Sequence, residues 1–142
     1  FHVMLVSLIL LLTLNLNSSN SINHLSDFKW KNRVLVVITD KKKDIQDLIK
    51  NYNIELDERE FLVIHFDGKR AFIDDKKMSK RFSKSIQKKI RNISQEIHFV
   101  LIGKDGRVKN LYSRNANVNE IFLEVDKMPM RINEMKRNLD ND

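Results

Sequence analysis

The run RVLVVIT at residues 33–39 is almost wholly apolar and rich in β-branched side chains, the pattern of a strand buried on both faces of a sheet. A charged turn follows at 40–44. Ile45, Leu48, Ile49 and Tyr52 then recur at helical spacing and predict a helix ending near Asn53. FLVIHF at 61–66 reads as a second buried strand, closed by the turn dipeptide Asp67-Gly68. Strand, helix and strand at this spacing make a βαβ unit with a right-handed crossover. Residues 69–75 fit either a short strand through Ala71, Phe72 and Ile73 or a loop. Met78, Phe82, Ile86 and Ile90, four residues apart, predict one apolar stripe on a helix from Lys76 to about Ile93. Two short strands around Gly103-Lys104-Asp105-Gly106 then form a hairpin over 97–113. Asn117, with Glu120 three residues on, can cap a last helix whose buried face is Val118, Ile121, Phe122 and Val125, and Pro129 is expected to stop it. Leu25, Phe28 and Trp30 belong to a lead-in expected to pack on the first strand, with Trp30 at the core edge.

The order is β-α-β-α-β-β-α, which predicts an α/β fold of thioredoxin-like type: a mixed central sheet flanked by helices. That core occupies residues 22–142. Residues 3–16 (VMLVSLILLLTLNL) are apolar all round and uncharged, too short for the roughly 20 residues a membrane-spanning helix needs. They fit the hydrophobic region of a secretory signal, and the polar run Asn17, Ser18, Ser19, Asn20, Ser21 offers a place for cleavage, without an Ala-x-Ala site. No basic segment precedes them, in agreement with a clipped start before Phe1. The expected organisation is therefore a signal peptide or hydrophobic segment at 1–21 and an exported domain, periplasmic or secreted, or membrane-anchored if the segment is retained. A buried helix is the competing structural account of the same residues.

Composition narrows the chemistry. There is no cysteine among the 142 residues, which removes thiol catalysis, thiolate metal ligation and disulfide exchange. Lys76, Lys77, Lys80, Arg81, Lys84, Lys88, Lys89 and Arg91 lie in an acid-free stretch, and their charge exceeds the net +7 of the whole chain. On a helix they would form a basic face opposite the apolar stripe, suited to anionic lipid, a cell-wall polyanion or an acidic partner, or simply solvated. Nucleic acid is disfavoured, since no aromatic interleaving or recognised motif accompanies the charges. The expected partners are an unidentified protein or an anionic envelope component, with membrane contact through the N-terminal segment or the basic helix. His65 and His98 fall on two predicted strands that could be neighbours, but further metal ligands are lacking and the turn accounts for Asp67. No nucleophile-elbow motif is present. No catalytic residue, cofactor or metal site is assigned.

Several segments carry a resemblance: Trp30-Lys31-Asn32-Arg33 entering Val34-Leu35-Val36-Val37, then Asp57-Glu58-Arg59-Glu60, then Val100-Leu101-Ile102-Gly103-Lys104-Asp105-Gly106, and Met128-Pro129-Met130-Arg131 with Glu134-Met135. Over about residues 25–137 the chain resembles the domain-of-unknown-function family 4174. The resemblance implies a thioredoxin-like fold close to the peroxiredoxins, occurrence in small exported bacterial proteins and in sushi-repeat extracellular proteins, and peroxiredoxin-like chemistry in some members. The chain departs from that chemistry. A thioredoxin-type enzyme places its nucleophilic cysteine at the N-terminus of the first helix, where dipole and free N–H groups lower the thiol pKa; here the segment reads Thr39-Asp40-Lys41-Lys42-Lys43-Asp44. The cis-proline expected before the strand at Ile97 is replaced by Ser94-Gln95-Glu96. The expected function is thus a binding or structural module without thiol chemistry, with an oxidoreductase, by resemblance, and a polyanion or membrane-surface binder as alternatives. Asp40, Lys41, Lys42, Lys43 and Asp44, at the C-terminal end of the first strand, mark the expected ligand edge.

Overall fold

The computed structural model describes residues 22–142. The apolar segment at 3–16 and the polar run after it lie outside the described residues. At the centre of the sheet is β1 (Arg33–Ile38), in which Val34 and Val36 project to one face and Leu35 and Val37 to the other. Side chains alternate along a strand, so a strand covered on both sides has to be apolar at every position.

β2 (Phe61–Phe66) runs parallel to β1 with Val36 opposite Ile64, and β5 (Ile97–Ile102) runs antiparallel on its other side with Leu35 opposite Leu101. β6 (Val108–Ser113) completes the hairpin on β5. Beyond β2 the sheet continues through β3 (Ala71–Ile73) and the two-residue β4 (Lys76–Lys77), giving the order β4-β3-β2-β1-β5-β6. The β3–β4 turn places Asp74 and Asp75 at φ 50° and 63°, the left-handed pair a type I′ turn requires.

Among the described residues four helices cover the faces: α1 (Lys42–Glu58), α2 (Lys80–Lys89), α3 (Val118–Asp126) and α4 (Pro129–Asp140), preceded by a 3-10 turn at Leu25–Phe28. α1 and α3 bury Ile45, Leu48, Ile121, Phe122 and Val125 against Leu35, Val37, Phe99 and Leu101. On the opposite face α2 buries Phe82 and Ile86 against Val34, Val36, Ile64 and Val100, and Leu25 of the 3-10 turn joins them. Fully buried side chains of this kind contribute about 1.5–3 kcal/mol each. The result is the mixed α/β, thioredoxin-like architecture expected from the element order.

The structure corrects some of these expectations and decides between the two alternatives at 69–75. α1 runs past Asn53 to Glu58 because a kink at Tyr52 (φ −128°, ψ 24°) lets Leu56 reach the core. Residues 71–73 form a strand, and Lys76 and Lys77 pair with Ile73 and Phe72. The helix expected from Lys76 to about Ile93 therefore begins only at Lys80, where Ser79 caps it by accepting the Phe82 N–H, and ends at Lys89. Pro129 opens a helix instead of merely closing one, since proline at the first helical position gives up an N–H that has no partner there. Trp30 is not core edge but 62 % exposed at φ 66°.

Candidate functional site

The C-terminal end of β1 is where the ligand edge was expected. Thr39, buried just beyond the strand, donates its hydroxyl to Asp44 Oδ2 at 2.7 Å and accepts the Lys41 N–H at 3.1 Å. Arg114, from the loop after β6, donates to Asp44 Oδ2 at 3.2 Å and to Thr39 Oγ1 at 3.4 Å. The Thr39 hydrogen bond, with the charge of Arg114 behind it, holds the Asp44 carboxyl below its ordinary value against the opposing effect of burial. Asp44 is therefore an ionised, satisfied acceptor in a closed polar clamp. Asp40, Lys41, Lys42 and Lys43 point into solvent, with Lys42 Nζ 3.6 Å from Asp75. The five residues expected to act together are thus divided between a clamp and an exposed rim.

His65 and His98 are not neighbours, because β1 separates β2 from β5. Each donates to a carbonyl at the end of β1: His65 Nε2 to Thr39 O and His98 Nδ1 to Ile38 O, both at 2.9 Å. Burial pushes the His98 pKa down, and Arg114 adds to that shift. Among the described residues no group of three or more histidine or acidic side chains could hold a metal ion. The two histidines close the open backbone end of the central strand.

The predicted basic residues occupy more than a helix. Lys76 and Lys77 lie on β4, Lys80, Arg81, Lys84, Lys88 and Lys89 on α2, and Arg91 just past its end. All eight are exposed, and among the described residues none forms an ion pair. Serines fasten the buried side of α2: Ser83 Oγ accepts the Ala71 N–H and Ser85 Oγ the Leu25 N–H, both at 2.9 Å. Among the described residues no helix is long and apolar enough to cross a membrane.

At the opposite end of β1 lies a charged cluster that the hydrophobic pattern does not reveal. Arg33, 1 % exposed, forms a two-pronged pair with Glu134 at 3.0 and 3.2 Å and donates to Arg59 O. Lys104 reaches Glu134 at 2.6 Å and also pairs with Glu60. Asp126 accepts from Arg59 at 2.9 and 3.0 Å and from Arg131 at 3.2 Å. Burial alone would raise the carboxyls of Glu134 and Asp126, but the hydrogen bonds they accept from these cations outweigh it and hold both below their ordinary values. Trp30 and Glu60 adopt left-handed backbone, and their chain turns here: Trp30 N–H bonds to Lys104 O at 2.6 Å and Arg33 N–H to Glu60 O at 3.1 Å. The only sequence signal was indirect, since Arg33, Arg59, Glu60, Lys104, Arg131 and Glu134 each fall in a segment that carried the family resemblance.

A family model described as "Domain of unknown function (DUF4174)" matches residues 24–134. No curated protein matches the chain. Among solved structures, the reduced 2-Cys peroxiredoxin of Plasmodium vivax is similar at 19 % identity over 72 % of this chain and 80 % of that one, with a TM-score of 0.45. A likeness at that level carries nothing about activity. The family match spans most of the described residues and includes both ends of β1 and the network across Arg33, Lys104 and Glu134: the chain belongs to the DUF4174 family of domains of unknown function.

Proposed function

We propose that the chain is an exported binding module without thiol chemistry, which holds an anionic component of the cell envelope against the basic face formed by β4, α2 and Arg91. The observation that carries this reading is the eight exposed cations on that face with no acidic partner among the described residues. Like charges a turn apart, such as Lys80, Lys84 and Lys88, cost a helix about 0.2–0.5 kcal/mol per pair, and here the burial of Phe82 and Ile86 offsets that cost. The unbalanced face concentrates a positive field that attracts polyanions. Export is supported by the apolar stretch at 3–16. The oxidoreductase alternative has no cysteine to work with, and Thr39, Asp44 and Arg114 fill the place where a nucleophile would stand.

The test is retention of the full chain on phosphatidylglycerol liposomes across a salt series, beside the triple variant Lys76→Glu, Lys80→Glu, Lys84→Glu. Retention should fall steeply with salt and disappear in the variant. Binding through the apolar N-terminal segment alone would survive both changes and would overturn the assignment. A second reading places the ligand at the exposed Asp40, Lys41, Lys42 and Lys43 beside the Thr39 clamp. Under that reading Lys41→Glu with Lys43→Glu abolishes retention and the triple variant does not.

A further inference from the structure

A cleft of about 520 Å³ opens between the 3-10 turn, the C-terminal half of α2 and the β5–β6 turn. Its size is that of a small-molecule pocket, for which about 300–1,000 Å³ is usual. The floor is apolar, made by Leu25, Phe28, Val34 and Ile102, with Phe28 fixed edge-on against the buried Phe82 ring at 6.2 Å. The rim is cationic. Lys88 and Lys89 stand on the α2 side, Lys29 and Arg107 on the other, and none of the four forms an ion pair among the described residues. Asp105 is the one acidic lining residue, and it is already committed, to Lys109 Nζ at 2.7 Å and the Arg107 N–H at 3.0 Å.

Glycine at 106 shapes the wall. With φ 80° it turns the hairpin back, and the aliphatic stem of Lys29 lies over it, 3.7 Å from where a Cβ would be. The stem of Lys29 thus lines the apolar part while its ammonium stays at the rim, 5.8 Å from the centre of the Trp30 ring. An apolar floor under four unneutralised cations is complementary to one kind of molecule: an alkyl chain ending in an anion. We propose that this cleft binds a single-chain anionic amphiphile, a long-chain carboxylate, with its chain along Leu25, Phe28 and Ile102 and its head group among Lys29, Lys88, Lys89 and Arg107. The cleft shares only Lys88 and Lys89 with the basic face and does not depend on that face meeting a polyanion.

Trp30 is the chain's single tryptophan and sits beside Lys29, so energy transfer from it to an undecanoic acid carrying a dansyl group reads occupancy of the cleft. The full chain should bind this probe saturably, one per chain, and laurate should displace it. Lys29→Glu with Arg107→Glu, both at exposed positions, should weaken binding by about tenfold or more with an unchanged thermal melt. Equal affinity in that double variant, or displacement by dodecanol as effective as by laurate, would overturn the proposal. Displacement by acetate alone would reduce the site to a small-anion site and overturn it as well. The triple variant Lys76→Glu, Lys80→Glu, Lys84→Glu touches no lining residue and should bind the probe normally even where it has lost liposome retention, so the two proposals fail separately.

Discussion

Two populations of charge divide this molecule. Around Arg33, cations and anions are buried or half-buried and paired: Arg33 and Lys104 share Glu134, and Arg59 and Arg131 share Asp126. Along β4 and α2 the cations are exposed and, among the described residues, unmatched. A charge withdrawn from water must be paired, because leaving it alone costs several kcal/mol, whereas a solvated lysine needs no partner. Pairing therefore identifies the charges that serve the fold, and its absence identifies those free to meet something else. The basic residues that attract attention in the sequence form no ion pair among the described residues, while the scattered ones tie the end of the sheet together.

This contrast can be broken by substitution, starting with the largest effect. Glu134→Ala strands Arg33, leaves Lys104 with Glu60 alone, and should cost about 3–5 kcal/mol in urea denaturation. A loss below about 1 kcal/mol, the scale of a surface pair, would show that the cluster is not structural. Acid should act on the same end. Glu134 and Asp126 have folded pKa values below their ordinary 4.5 and 3.8, so their contribution is complete above those values and is lost as pH falls through the lowered ones. His98, also lowered from 6.5, is preferred neutral in the fold, and protonating it begins to cost stability as pH drops below 6.5. Stability should thus decline gently below 6.5 and steeply in the carboxylate range; Glu134→Gln should flatten the steep limb and leave the gentle one.

Smaller effects should follow at the other end of β1. Thr39→Val keeps the shape but removes the hydroxyl that Asp44 accepts and that receives the Lys41 N–H, for an expected loss of about 1–2 kcal/mol by thermal or chemical unfolding. Smallest of all, the triple reversal of Lys76, Lys80 and Lys84 should change unfolding free energy by no more than about 0.5 kcal/mol. A large loss there would mean that these lysines serve the fold after all and would erase the distinction.

The sheet was legible because its code is short-range. Residues 34–38 and 61–64 are apolar without a break, the pattern a doubly covered strand requires. The basic stretch was legible as charge but not as shape, because Lys76 and Lys77 are recruited by a tight turn through Asp74 and Asp75 whose left-handed backbone no periodicity announces. The clamp was half visible: Asp44 follows from its place after the strand, whereas Arg114 joins it from 70 positions away. The ionic cluster was least visible, since a lysine in a hairpin turn and a glutamate in a terminal helix look like solvated residues until tertiary structure closes over them. His65 and His98 show the converse, a plausible pair that the sheet order separates.

The pairing of Arg33 with Glu134 has a temporal side. The partners are 101 positions apart, so the first residue of the central strand acquires its counter-charge only when α4 is available to supply it. Contacts of such long range close late and slow the approach to the native state. A chain that already holds β1 and the β5–β6 hairpin but lacks α4 leaves Arg33 without its carboxylate partner, so this end of the sheet should be the last to close.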